Sequence, residues 1–98
     1  MAGVVATSYS EALFTLALEE NKLGVFCEDL KTIVEILNDN KELKAIMKHP
    51  KIAKKDKKEV LSKVFAGADP YVLNFVKLMV DKSRFSHFEE TCKVFLKM

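Results

Sequence analysis

Glycine (3), proline (2) and tryptophan (0) are all scarce in this 98-residue chain. So few turn-forming residues exclude a β-sandwich cut by tight turns, a collagen-like repeat and a Gly/Pro-rich disordered tail. Cysteine is scarce too: Cys27 and Cys92 cannot make a disulfide framework, so free thiols in a reducing compartment are the default. No apolar run reaches the ~18 residues a membrane span needs. The opening MAGVVATSYSE lacks both the basic and the long apolar region of a secretory signal. The length suits one domain with one core, which leaves little room for an enclosed catalytic cleft.

What the chain does have is apolar residues at helical spacing. The net charge of +2 hides an asymmetry: residues 1–47 carry 4 Lys/Arg and 8 Asp/Glu, residues 48–98 carry 12 and 6. There is no low-complexity linker and no internal repeat. The first segment, about residues 4–20, places Val5, Tyr9, Ala12, Leu13, Leu16 and Ala17 at steps of three and four. Its start is ambiguous, because Ser8 and Glu11 have capping-box spacing while the apolar pattern reaches back to Val4. Asn21-Lys22-Leu23-Gly24 supplies a break. A second helix follows through Phe26, Leu30, Ile33, Val34 and Leu37, ending near Asn38-Asp39-Asn40. A short third, Glu42 to Lys48, buries Leu43, Ile46 and Met47. Pro50 then pushes His49 out of the α region.

The fourth helix is expected from Lys54 to Phe65, with Val60, Leu61, Val64 and Phe65 on its apolar side and Gly67 as the stop. Asp69-Pro70 opens the fifth, since the Asp carboxylate accepts orphan amides and Pro gives up an N–H that has no partner. That helix continues through Tyr71 to about Lys82. Ser86-His87-Phe88-Glu89 reads as a capping box opening a sixth, with Phe88, Cys92, Phe95 and Leu96 inward. No segment alternates with period two, so the fold class is all-α, a compact bundle of about six short helices. The final residues, Lys93 to Met98, are still amphipathic and hold no stop signal, which points to the N-terminal piece of a longer protein.

A surface helix in a small bundle usually shows an apolar stripe somewhat over ~100° wide. At ~100° per residue, the first helix sweeps roughly 240°, from Ala12 and Val5 through Tyr9 and Leu13 to Phe14 and Leu18. The fifth sweeps about 220°, from Leu78 and Tyr71 through Phe75 and Met79 to Val80 and Leu73, with only Asn74, Lys77 and Asp81 polar. Either both helices are central and covered on all sides, or one flank of each forms an exposed apolar groove that receives a partner's amphipathic helix. Ala12 and Ala17 are small enough to let a third backbone approach.

Catalytic chemistry has no foothold. His49 and His87 lack second ligands at metal spacing, so no metal site is expected. Cys27 and Cys92 fall on core-facing stripes and read as small hydrophobes. No phosphate loop, nucleophile elbow or paired-carboxylate site is present, and no cofactor is implied. Six lysines between Lys48 and Lys58, offset by Asp56, form a basic run for RNA, anionic lipid or an acidic partner, or else a solvated face. Aromatics are not interleaved with them, as a base-stacking platform would need. The Arg84 fork has two uses open to it: tying carbonyls at the end of the fifth helix, or pairing with a carboxylate.

Taken in order, Tyr9-Ser10-Glu11-Ala12-Leu13-Phe14 with Ala17, Asp29-Leu30, His49-Pro50-Lys51-Ile52, Lys57, Leu61, Phe65, Asn74-Phe75, Leu78 and Ser83-Arg84-Phe85 resemble the N-terminal domain of the F-type ATP synthase delta subunit family, whose mitochondrial counterpart is the oligomycin-sensitivity-conferring protein. The resemblance covers essentially the whole chain; it departs at Ser83, where Gly is common, and at Phe85, where Leu is common. It implies a six-helix bundle on top of the catalytic head, a non-catalytic stator subunit that grips the N-terminal helix of an alpha subunit between helices one and five. By the same resemblance the partner-binding residues are Tyr9, Ala12, Leu13 and Leu16 on the first helix and Asn74, Leu78 and Met79 on the fifth. The resemblance also implies a second, C-terminal domain, expected outside this chain, that contacts the b subunit of the peripheral stalk. The implied location is the cytoplasmic face of a bacterial plasma membrane, without insertion into it; a mitochondrial or chloroplast setting ranks second. The alternative from a different class is an RNA-binding helical domain of the antitermination-factor type using the Lys48–Lys58 run.

Overall fold

The computed structural model describes residues 3–98, in which six α-helices and one 3-10 turn account for the regular structure and no strand occurs. α1 (Val4–Glu19) begins directly after Gly3, whose extended backbone (φ −75°, ψ 167°) serves as the N-cap. Gly3 N–H donates to Glu90 Oε1 at 2.8 Å, tying the start of the chain to α6 (Phe88–Leu96). The ambiguity at Ser8 is thereby resolved, because Ser8 lies inside the helix rather than capping it. α2 spans Leu23–Asp39 and sets Phe26, Leu30, Ile33 and Leu37 into the core as one continuous stripe. The break before it is narrower than expected: Leu23 and Gly24 already belong to the helix, and the reversal falls on Asn21 (φ 55°).

Asn40 ends α2 and caps α3 (Lys41–Lys48), its side chain accepting from Leu43 N–H at 3.0 Å. His49, held extended (φ −73°, ψ 117°) ahead of Pro50, closes α3 as steric crowding by proline demands. α4 (Lys54–Val64) buries Leu61 and directs Phe65, just past its end, inward. Val64 departs from its expected inward role: it is 44% exposed, because Leu61 and Phe65 share a stripe at i, i+4 and position 64 falls on its outer flank. Gly67 does not act as a left-handed stop either. The chain leaves α4 through a turn in which Ala68 N–H donates to the Phe65 carbonyl at 3.0 Å, and no glycine has positive φ.

α5 (Pro70–Asp81) opens as its sequence demands, with the Asp69 carboxylate accepting from Tyr71 N–H at 2.8 Å and Pro70 first in the helix. The helix ends in a Schellman motif: Ser83 N–H donates to Val80 O (3.0 Å) and Arg84 N–H to Met79 O (2.8 Å), with Ser83 at φ 57°. Asn21 closes α1 by the same geometry. Ser86 does not form the expected cap: it lies within the 3-10 turn Phe85–His87, which runs straight into α6 and leaves no extended residue to cap from.

The packing has two halves. α1 lies along α6, with Phe14 edge-on to Phe95 (centroids 5.8 Å apart) and Leu13 and Ala17 buried between them; α4 lies along α5. α2 joins the halves, touching α1, α3, α5 and α6. Phe26, Leu30, Phe88, Cys92 and Phe95 are all but inaccessible. Each buried aromatic or aliphatic side chain of this kind contributes about 1.5–3 kcal/mol through removal from water. The radius of gyration, 12.7 Å, is close to the ~13 Å of a compact domain this size.

Candidate partner-binding seam

α1 and α5 are not a closely packed pair as α1 and α6 or α4 and α5 are; side chains link them at two places. Tyr9 meets Phe75 edge-on (centroids 6.2 Å apart), while eleven positions further along α1 Glu20 accepts from the Tyr71 hydroxyl at 3.0 Å, near the start of α5. Near these two contacts several side chains of both helices, together called the strip, are not fully covered by the chain. Ala12 and Asn74 are exposed, Leu78 is 41% exposed, and Tyr9 and Leu16 are half-buried. Leu13 (2%) and Met79 (0%) sit elsewhere. Both are closed into the core, so neither offers open surface.

The two wide apolar arcs therefore divide. On α1, Leu13, Ala17 and Phe14 are spent on the core and on α6, Tyr9 meets Phe75 of α5, and Ala12 and Leu16 share the Tyr9 side of the helix. Leu18 is 57% exposed. On α5, Val72, Val76, Met79 and Val80 are buried, and Tyr71, Asn74 and Leu78 line up at i, i+3 and i+7 on the open side. Central burial accounts for one flank of each helix and leaves the other uncovered.

One end of the strip is held by a polar clasp that the sequence pattern did not single out. Lys22 Nζ lies 2.9 Å from Asp69 Oδ2 and 5.3 Å from the centre of the Tyr71 ring. Asp69 N–H in turn donates to Asp29 Oδ2 at 2.8 Å. The hydrogen bond from Lys22 holds the Asp69 carboxyl below its ordinary value of 3.8, against desolvation and with help from the Tyr71 amide. Its partner Lys22 is held above 10.5 by the same bond. The hydrogen bond and negative charge of Glu20 raise the Tyr71 phenol. The only forewarning was Asp69 as a helix cap; its second use, joining α5 to the α1–α2 turn, is a long-range contact with no local signature.

The remaining chemistry-bearing residues are placed as follows. Cys27 is half-buried and Cys92 buried, and both are free thiols; burial pushes Cys92 up to about 12. His49 and His87 belong to no cluster of three or more potential metal ligands among the described residues. No described helix is long and apolar enough to cross a membrane. The basic run does not form one flat face. Lys58 pairs with Asp81 (2.9 Å), Lys54 donates to the Asp81 carbonyl (3.0 Å), and Lys51 and Lys55 point to solvent. The Arg84 guanidinium makes neither of its expected contacts among the described residues; its backbone N–H ties the end of α5 instead.

Against known proteins, residues 5–98 match a family model described as ATP synthase delta (OSCP) subunit. The chain is similar to the ATP synthase subunit delta of Oceanobacillus iheyensis, 43% identical over 83 residues that make up 85% of this chain and 46% of the relative. It is 37% identical to that of Synechocystis sp. over 93 residues (94% and 50%). It is 35% identical to that of Desulfitobacterium hafniense over 97 residues (98% and 54%). The chain thus spans about half the length of the relatives it matches.

Proposed function

The chain belongs to the ATP synthase delta (OSCP) subunit family, and from that premise we propose that it is a non-catalytic stator element whose α1–α5 strip receives the N-terminal amphipathic helix of an alpha subunit. The observation that carries the reading is the strip itself. Ala12, Asn74 and Leu78 are exposed and Tyr9 and Leu16 half-buried, beside the Tyr9–Phe75 and Glu20–Tyr71 contacts. An amphipathic helix laid along it covers Leu78 and the half-exposed rings, and Ala12 leaves space for its backbone. Tyr9, Leu16 and Asn74 flank the docked helix, with the Asn74 amide available to hydrogen-bond at the rim. Leu13 and Met79, closed into the core, act only through packing.

The mechanism is mechanical. Rotary catalysis exerts torque on the ring of catalytic subunits, and an outer stalk holds that ring still. This bundle grips the head, and the other half of a full-length subunit, a second domain, passes the load to the b subunit at the membrane. Apolar burial spread over several helical turns suits the task because it dissociates slowly. The RNA-binding alternative gains no support, since no aromatic is interleaved with the run and two of its lysines are engaged with Asp81.

The test is an amide NMR titration of the 98-residue chain with a synthetic peptide of the cognate alpha-subunit N-terminus. Saturable shifts confined to α1 and α5 are expected. An unchanged spectrum at near-millimolar peptide rejects the reading.

A further inference from the structure

A cavity of about 460 Å³, with no α1 residue in its lining, opens where α2, α3, α4, the end of α5, the 3-10 turn and α6 converge. Its inner surface is apolar, formed by Val34, Leu37, Met47, Val80, Phe85 and Phe88. Four lysines, Lys44, Lys48, Lys54 and Lys57, also line it, against the single carboxylate of Glu89. None of the four is in an ion pair among the described residues: Lys44 Nζ donates to Asn38 Oδ1 (3.1 Å) and Lys54 Nζ to the Asp81 carbonyl (3.0 Å). Glu89 accepts from the Asn38 amide at 3.3 Å rather than from a lysine.

We propose that this cavity binds a small amphiphilic anion, with its apolar body on the floor and a carboxylate or phosphate head among Lys44, Lys48, Lys54 and Lys57. The volume lies in the range of small-molecule sites, ~300–1,000 Å³, and such sites combine an apolar lining with a few convergent polar groups. Cations lining a low-dielectric pit focus their field into it and attract an anion. Lys48 and Lys57 are the free pair. A purely inorganic anion leaves the apolar floor wet, and a neutral hydrocarbon leaves the ammonium groups unanswered; a molecule with both parts satisfies both surfaces. Because the lining converges from six elements around a pit instead of running along two helices, it fits a compact ligand better than a docked helix or an RNA strand.

The experiment is an amide NMR titration of the same chain with decanoate and decyl phosphate below their micelle concentrations, with decanol, acetate and inorganic phosphate as controls. Decanoate, decyl phosphate or both shift the amides of Val34, Met47 and Phe85 saturably, and the preference between them identifies the head group. The controls bind about tenfold more weakly or less, and Lys48→Gln/Lys57→Gln weakens the amphiphiles by a similar factor, as befits loss of charge-assisted contacts. Lys55→Gln, exposed and outside the cavity, leaves binding unchanged. The proposal is overturned if decanol binds as tightly as decanoate, if the double variant binds normally while its spectrum remains folded, or if the shifts fall on α1 and the first turns of α5. It is overturned equally if an RNA oligonucleotide or an acidic peptide displaces decanoate at lower concentration than free amphiphile does.

Discussion

Ala12→Asp separates a docking surface from a core more sharply than any other single change. Position 12 lies in the middle of α1, exposed, and clear of both helix ends, so the new carboxylate meets neither macrodipole pole. The cost to folding is then the difference in helix propensity, up to ~0.7 kcal/mol, which lowers Tm by about 3–5 °C in a domain this size. For binding the arithmetic is different. A docked helix strips water from the carboxylate with no cation of the strip beside it, at a cost of roughly 3 kcal/mol or more. That loosens the complex by over about a hundredfold. Thermal unfolding followed by circular dichroism reads the first number and the alpha-peptide titration the second. Leu18→Asp, at an exposed position of α1 outside the strip, is the matched control and leaves peptide affinity unchanged. Loss of helicity in Ala12→Asp, or peptide affinity within about threefold of the parent, would refute the reasoning.

Ser83→Gly should stabilise the chain by about 0.5–1 kcal/mol in urea unfolding, since Ser83 sits at φ 57° where a side chain costs roughly 1 kcal/mol and Gly returns part of that as unfolded-state entropy. A neutral or negative effect would show that the left-handed turn carries no strain. Asp69→Asn keeps a cap but removes the pair with Lys22. The folded carboxyl of Asp69 titrates below 3.8, so its contribution is present above that pH and is lost as pH falls through the depressed value. The variant's stability should therefore decline less steeply than the parent's below about pH 4, and identical acid profiles would disprove the linkage. Under native conditions Cys92, buried and pushed up to about 12, should resist iodoacetamide at pH 8 while half-buried Cys27 is modified first; prompt labelling of Cys92 would mean that α6 opens readily.

The helices were legible wherever a local signal and an apolar stripe agreed. Asp69-Pro70, Asn40 and His49-Pro50 each act within three residues of themselves, and each does in the structure what its chemistry dictates. Ser8, Ser86 and Gly67 carried equally good local signals and were overruled. Gly3 starts α1 a turn earlier, the 3-10 turn absorbs Ser86, and the chain leaves α4 before reaching Gly67. The wide arcs of the first and fifth helices marked the elements that matter, yet the pattern had no means of dividing each arc. Leu13 and Leu16 differ by one helical turn in sequence and by a whole layer in depth. Thr91 and Ser10, polar and fully buried, had no apolar signature at all; Ser10 donates to the Thr7 carbonyl of its own helix and Thr91 to the His87 carbonyl just before its own.

Periodicity, caps and composition by themselves determined that this chain is a helical bundle, how many helices it has, and which two carry more apolar surface than one contact can use. These follow from steric and hydrogen-bonding rules that act within a few residues. Which flank of α1 and α5 is left open, the joining of Lys22 to Asp69, and the meeting of four lysines over one apolar pit were decided only when the helices packed. Each depends on residues tens of positions apart, and burial is a property of what lies opposite a side chain, which no stretch of sequence contains.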